Sequence, residues 1–316
     1  MVHMHRNIKN HKQGDKLLKM PGKNERGPLE FESHIARKNS ELLNVATRDV
    51  ISVPQTSTII SAVGTMTSHG FRRLPVTDPG TNRIHGIVTA GDIIDFLGGG
   101  SRFNLVQVKH KGNLIAAINE SVREIMSTKL ITLDAGACFD DAVRIIVDTK
   151  CGGVPIVDRG DRLVGIITER DVMKVLSVEN NYLTVEDIMT QSPYVTSPER
   201  SIGDVAREMV SHKFRRLPVV SDDILFGIIT TMDIMRYLGN KEIFNEMITG
   251  DVSDVMGQPV RNLISGELYT ISPDKNISEV AKKMLLSNIG ALPVIEDSRL
   301  VGLITEFDLV KALIKR

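Results

Sequence analysis

Four aspartates and two arginine pairs are the residues of this chain best placed to do chemistry. Each aspartate ends the same pattern, Gly-hydrophobic-hydrophobic-Thr-x-x-Asp. The copies run from Gly86 through Thr89 to Asp92, Gly165 through Thr168 to Asp171, Gly227 through Thr230 to Asp233, and Gly302 through Thr305 to Asp308. The arginine pairs, Arg72-Arg73 and Arg215-Arg216, each lead directly into a Leu-Pro-Val run. A threonine followed three residues later by aspartate, where a strand passes into a helix, can be a helix cap that needs no ligand. The same geometry also suits one. The free N–H groups of a helix start attract phosphate, and a carboxylate there can accept two hydrogen bonds from the vicinal hydroxyls of a ribose. The glycine permits a turn or a close backbone approach, which again needs no ligand. In an alternating strand one arginine of each pair points inward, where an unpaired charge is costly. Either a polyphosphate, for which the planar guanidinium fork is suited, or an internal Asp or Glu resolves that cost.

Enzyme chemistry has no comparable support. The chain carries no nucleophile–base pair, phosphate-binding loop signature or zinc-ligand spacing, and its two cysteines, Cys138 and Cys151, form no disulfide or metal framework. The Thr and Asp of each motif cannot alone run acid–base catalysis. The expectation is therefore a protein that is not an enzyme, with no catalytic residues, catalytic cofactor or metal.

The motifs recur because the whole unit recurs. Each lies 9 to 11 residues beyond a proline set in an apolar run, at Pro75, Pro155, Pro218 and Pro293. Before each run the pattern predicts a short strand (residues 50–53, 130–133, 194–197 and 269–272), with Pro54, Pro198 and Pro273 marking three exits. A helix follows, opened by Thr58, Cys138, Ser201 or Asn276, of which all but the cysteine are good N-caps. Its apolar residues recur at helical spacing, as in Ile59, Ala62, Val63 and Met66. Then come the proline strand, a turn, the glycine-motif strand and a second helix. The unit is strand–helix–strand–strand–helix, an α+β arrangement. A copy of ~55–60 residues is marginal alone, so copies are expected to bury their apolar faces on one another. A higher duplication is visible too: Phe71-Arg72-Arg73-Leu74-Pro75-Val76 returns as Phe214-Arg215-Arg216-Leu217-Pro218-Val219, whereas copies 2 and 4 carry Gly152-Gly153 and Gly290-Ala291 there. Copies 1 and 2 thus form a module duplicated as copies 3 and 4, with pairing expected inside each module.

These residues resemble the CBS domain (cystathionine beta-synthase domain) in all four copies, over about residues 45 to 315. The resemblance implies four repeats in two pseudo-twofold Bateman modules, an architecture similar to that of the gamma subunit of AMP-activated protein kinase. The divisions are a leader (1–44), repeat 1 (45–98), a linker (99–121), repeat 2 (122–178), repeat 3 (185–239), a linker (240–251) and repeat 4 (252–316). It also implies an adenosine nucleotide (AMP, ADP or ATP) as ligand in clefts between paired repeats. Adenine would lie among apolar first-strand residues near Ile51, Ile131 and Val195. Ser52, Thr132 and Thr196 match the family's polar position, and copy 4 departs with Ile271. With aspartates in all four copies and arginines in two, two good nucleotide sites are expected, one per module.

Other readings are kept. S-adenosylmethionine or methylthioadenosine would be the alternative ligand, against which the arginines argue. A nucleic-acid-binding regulator would use the leader: residues 1–40 carry nine Lys/Arg against four Asp/Glu within a chain of zero net charge. That leader lacks interleaved aromatics or a continuous basic block. No apolar run approaches ~20 residues and no secretory signal is evident, so a cytoplasmic protein without a membrane segment is expected. Its partners would be the adenosyl ligand, a further protein, and either a second copy in a homodimer or its own second module.

Overall fold

The computed structural model describes residues 42–98, 100–103, 105–178, 182–240, 251–264 and 267–314; most of the leader lies outside them. Each repeat has a first helix, an antiparallel hairpin and a second helix. The first helices are Ile59–His69, Phe139–Thr149, Ile202–His212 and Ile277–Leu286. The caps act as their chemistry dictates. Thr58, Ser201 and Asn276 accept from backbone N–H groups of the first turn. At Cys138 the Asp141 carboxylate supplies the cap instead, accepting from the Cys138 N–H at 3.2 Å and Sγ at 3.0 Å. The predicted stripes are buried throughout: Ile59, Ala62, Val63 and Met66 are each at most 1% exposed.

The hairpins pair Arg73–Thr77 with Ile84–Thr89, Gly153–Val157 with Leu163–Thr168, Arg216–Ser221 with Ile224–Thr230, and Ala291–Glu296 with Arg299–Thr305. The expected first strand is shorter than its pattern. It shrinks to single parallel bridges, Val53 to Val76, Thr196 to Val219 and Ile271 to Val294, and extends only in repeat 2, as Leu133–Asp134. In repeats 3 and 4 proline is the reason. The N–H of Ala135 donates to Val157, and the matching positions in repeats 3 and 4 are Pro198 and Pro273, which have no N–H to give. The bridges also correct the alignment of the polar position. Ser52 and Thr132 precede the bridging residue, so their counterparts are Val195 and Thr270; Thr196 and Ile271 are bridging residues themselves. Copy 3, not copy 4, departs.

The motif glycines have a steric explanation. The segment leading into each repeat crosses the hairpin of its module partner: Thr47 bridges Ile166, Ser127 bridges Ile87, and Thr190–Gln191 pairs with Leu303 and Gly302. A Cβ on Gly86 would stand 2.8 Å from Met126 Sδ and 3.0 Å from the Ser127 carbonyl; one on Gly227 would stand 2.6 Å from Ile264; one on Gly302 would strike Met189. None of the four glycines has positive φ. The requirement is close approach rather than a turn.

Hydrogen-bonded crossings therefore pair repeats 1 with 2 and 3 with 4, as expected, while the helices pack across modules. One apolar core runs through repeats 1 and 3. In the other half, Met173 and Leu176 of repeat 2 enter the core of repeat 4, and Val310 of repeat 4 enters that of repeat 2. The two modules thus pack on one another within the chain. Gly98 and Gly239 are the last residues of the second helices of repeats 1 and 3. A Cβ on Gly98 would lie 2.5 Å from Ala206, and one on Gly239 would lie 3.3 Å from Val63. The expected leader, 1–44, is also shorter: Leu42 is fully buried against repeat 2 in the helix Leu42–Val45.

A pair of glycine substitutions tests this account by thermal denaturation. Gly86→Ala is expected to destabilise the protein by ~1–3 kcal/mol through overpacking against a backbone carbonyl. Gly64→Ala, in the exposed face of a helix with nothing within 4 Å, should stabilise it by ~0.5–1 kcal/mol.

Candidate functional site

All four Thr–Asp pairs are reciprocal caps. In each, one Asp oxygen accepts from the Thr N–H at 2.8–2.9 Å and from its hydroxyl at 2.6–2.7 Å. In three copies the second oxygen meets a cation: Arg102 on Asp92, Lys174 on Asp171 at 2.8 Å, and Arg236 on Asp233 at 2.9 Å. Lys174 and Arg236 have side chains 46% and 59% exposed. Arg236 and Asp233, the latter 23% exposed, form a surface pair of the kind that contributes only ~0–1 kcal/mol, whereas the Asp171 side chain beneath Lys174 is only 3% exposed. Burial, opposed by bonds from Thr305, raises the pKa of Asp308 above the usual aspartate range.

The arginine pairs converge where the four repeats meet. Within each module, Arg73 donates to the carbonyl of Gly152 and Arg216 to that of Gly290. The small residues of copies 2 and 4 admit these side chains, because a Cβ on Gly152 would collide with Arg73 and lie 2.7 Å from Arg215. The other member of each pair reaches across modules. Arg72 of repeat 1 bonds Glu306 of repeat 4, and Arg215 of repeat 3 bonds both oxygens of Glu169 of repeat 2, at 2.9 and 2.8 Å. Glu306 also lies 3.4 Å from Arg170 and 3.9 Å from Arg216. Both glutamates are at most 1% exposed.

Five guanidinium groups meet two buried carboxylates, an excess of three positive charges among these groups, with Arg72, Arg170 and Arg215 still 23–33% exposed. The titration behaviour reflects this. Burial, followed by the neighbouring Arg215, lowers the pKa of Arg73 to about 10; burial, followed by Arg72, lowers that of Arg216 to about 10. Both stay charged at neutral pH, under repulsion that an anion would relieve. Burial works against the charge on Arg72 too, but Glu306 and Glu169 outweigh it and the net shift is upward. Burial likewise disfavours the Glu306 carboxylate, yet Arg72 and Arg216 prevail and hold its pKa below the usual glutamate range.

A cavity of about 500 Å³ opens on this junction. It brings together Arg72, Arg73, Thr168, Asp171, Arg215, Arg216, Thr230 and Asp233, with Ile51, Phe71, Phe226 and Leu268 as apolar walls. These four are 36–52% exposed. Ser52, Thr89, Asp92, Thr132, Thr196, Thr305 and Asp308 do not line it. Ser52 bonds Thr77 at 2.8 Å, and Thr196 is 5% exposed with its hydroxyl oxygen unbonded among the described residues. The first-strand residues Ile131 and Val195, 44% and 42% exposed, also lie outside it. The cavity takes in a Thr–Asp pair from each module, Thr168 and Asp171 of repeat 2 and Thr230 and Asp233 of repeat 3. Sequence reasoning missed Glu169, Glu306 and Arg170, which fill the x positions of the motif. The signal was present: copies 2 and 4 place Glu where copies 1 and 3 place Ala90 and Thr231, in antiphase with the arginine pairs. Among the described residues no cluster of His, Cys, Asp or Glu could hold a metal ion, and no helix is long and apolar enough to cross a membrane.

The chain belongs to the CBS-domain family: the family model matches residues 41–99, 122–178, 185–240 and 252–315. It is 40% identical over 267 residues to protein MJ1225 of Methanocaldococcus jannaschii, covering 84% of this chain and 95% of that protein. The crystal structure of MJ1225, described as a candidate archaeal homologue of gamma-AMPK, superposes with a TM-score of 0.83 at 39% identity, over 87% of this chain and all of the other. A 33.4 kDa protein from the ribosomal RNA operon of Thermofilum pendens is 27% identical over 83% of this chain and 87% of its own length. A conserved protein of Pyrococcus horikoshii shares the fold, with a TM-score of 0.54 and 19% identity over 85% of this chain and 97% of that one. CBS-domain pairs are ligand-sensing regulatory units.

The glutamate at the junction makes stability pH-dependent. Because its folded pKa is depressed, Glu306 contributes stability in full above its ordinary pKa, and that contribution is lost as pH falls from there through the folded value. Denaturation by urea between pH 7 and 3 is expected to show this loss. Glu306→Ala should remove the corresponding slope and cost ~3–5 kcal/mol at neutral pH, by leaving buried guanidinium charge uncompensated.

Proposed function

We propose that the protein is a regulatory sensor of adenosine nucleotides, AMP, ADP or ATP, bound in the cavity where its two modules meet. The observation that carries this reading is the excess of part-buried positive charge at the arginine cluster, open to a cavity that also presents two helix-capping aspartates. Phosphate oxygens suit the guanidinium groups. Asp233, 23% exposed, has an oxygen that a ribose diol can reach by displacing Arg236, Asp171 offers a more buried one beneath Lys174, and the exposed Ile51, Phe71, Phe226 and Leu268 offer apolar faces to a base. The likeness to MJ1225, described as a candidate archaeal homologue of gamma-AMPK, supports the reading. The arginines oppose S-adenosylmethionine, which carries no phosphate to meet them. Binding would act by biasing how the modules pack, which requires different affinities for two arrangements; a partner protein would read the change.

Calorimetric titration tests this. AMP or ATP should bind at micromolar levels and S-adenosylmethionine more weakly. Asp171→Ala and Asp233→Ala should each weaken nucleotide binding by about tenfold or more, the effect of one lost charge-assisted hydrogen bond. Asp92→Ala, outside the cavity and tied to Arg102, should leave it unchanged. Absence of binding by every adenosine nucleotide up to millimolar concentration would return the motif to helix capping alone.

A further inference from the structure

Glu169 and Glu306 have no role in binding an anion, yet they stand among the groups that would bind it. Each is at most 1% exposed, so burial of its charge carries a large desolvation cost, and each is met by a guanidinium of the opposite module. Helix capping does not account for them, since the Thr and Asp of the same motifs complete the caps. Packing does not require them either, because Ala90 and Thr231 fill the same position in repeats 1 and 3. A carboxylate presents to a guanidinium much what a phosphate presents: negatively charged oxygens spaced to accept a forked pair of N–H groups. Arg72 and Arg215 nonetheless keep 23% and 33% of their side-chain surface exposed, and both line the cavity.

We propose that Glu169 and Glu306 hold the place of the ligand's phosphate on Arg215 and Arg72, so that phosphate entry exchanges a bond between modules for a bond to the ligand. This rests on the nucleotide reading above and adds what sets its affinity and how occupancy reaches the module interface. The arrangement is diagonal: Glu306 belongs to the second module but occupies an arginine of the first, and Glu169 does the reverse. A phosphate that takes Arg72 from Glu306 thereby loosens a tie between repeats 1 and 4. The glutamates lower affinity, and in doing so couple binding to module packing.

The test is calorimetric titration of AMP and of inorganic pyrophosphate into the full chain, Glu306→Gln, Arg72→Ala and the double variant, each checked for cooperative thermal unfolding. Glu306→Gln is expected to bind AMP roughly tenfold tighter than the unaltered protein, the scale of one charge-assisted bond no longer broken. The gain should vanish in the Arg72→Ala background. Glu169→Gln, whose carboxylate meets a single arginine, gives the same test through Arg215 if Glu306→Gln does not fold. Equal or weaker binding by a folded Glu→Gln variant, or a gain that survives loss of the arginine, overturns this inference while leaving the nucleotide reading intact. If neither the unaltered chain nor any variant binds AMP or pyrophosphate, both readings fall together.

Discussion

Everything about this molecule turns on the cost of bringing four arginines from two duplicated strands into one junction. Repeats 1 and 3 each deliver a pair, and helix packing across modules forces the pairs toward one another. Like charges at that distance in a partly dry space repel strongly. The structure compensates with a division of labour between odd and even repeats. Odd repeats supply guanidinium groups; even repeats supply the carbonyls of Gly152 and Gly290, the absence of side chains beside them, and the carboxylates of Glu169 and Glu306. Compensation is incomplete: among these groups the guanidiniums outnumber the carboxylates.

The same constraint explains why the motif serves two ends. Its glycine is dictated by a strap from the neighbouring repeat that leaves no space for a Cβ, and its Thr and Asp by the orphan N–H groups of the helix start. Those demands fall on all four repeats alike. What differs is the surroundings of the aspartate. Asp171 and Asp233 line the shared cavity and pair with the exposed Lys174 and Arg236, whereas Asp92 is held by Arg102 of the following linker. One sequence pattern can thus be a cap everywhere and part of a binding surface in only some copies.

Repeats, caps, apolar stripes, hairpins and the even–odd duplication were all legible in the sequence, because each depends on residues close together in the chain. What was not legible depends on contacts across hundreds of residues. Arg72 could be recognised as needing a partner, but nothing in local spacing pointed to Glu306, 234 positions away. The first strands were overread because apolar alternation says nothing about whether the next residue can donate to a ladder, and Pro198 and Pro273 cannot. The off-by-one placement of Thr196 has the same origin: only the bridge between Thr196 and Val219 establishes the register. The meeting of all four repeats at one cavity has the same origin, since it depends on how the two modules pack and on no local spacing.

The two halves of the junction are not equivalent, and the difference has a direct physical source. In repeat 2 the motif glutamate is followed by Arg170; in repeat 4 the same position is Phe307. Arg170 reaches Glu306 and the carbonyl of Ile289, both in repeat 4. Glu306 is therefore approached by guanidinium groups from all three other repeats, while Glu169 is ion-paired with Arg215. A carboxylate held by several cations is harder to displace than one held by a single partner. An anion approaching Arg215 accordingly faces a weaker internal competitor than one approaching Arg72, although the latter meets more positive charge once Glu306 has moved. Duplication supplied the symmetric frame, and this one residue pair gives its two halves different internal competition for the arginines.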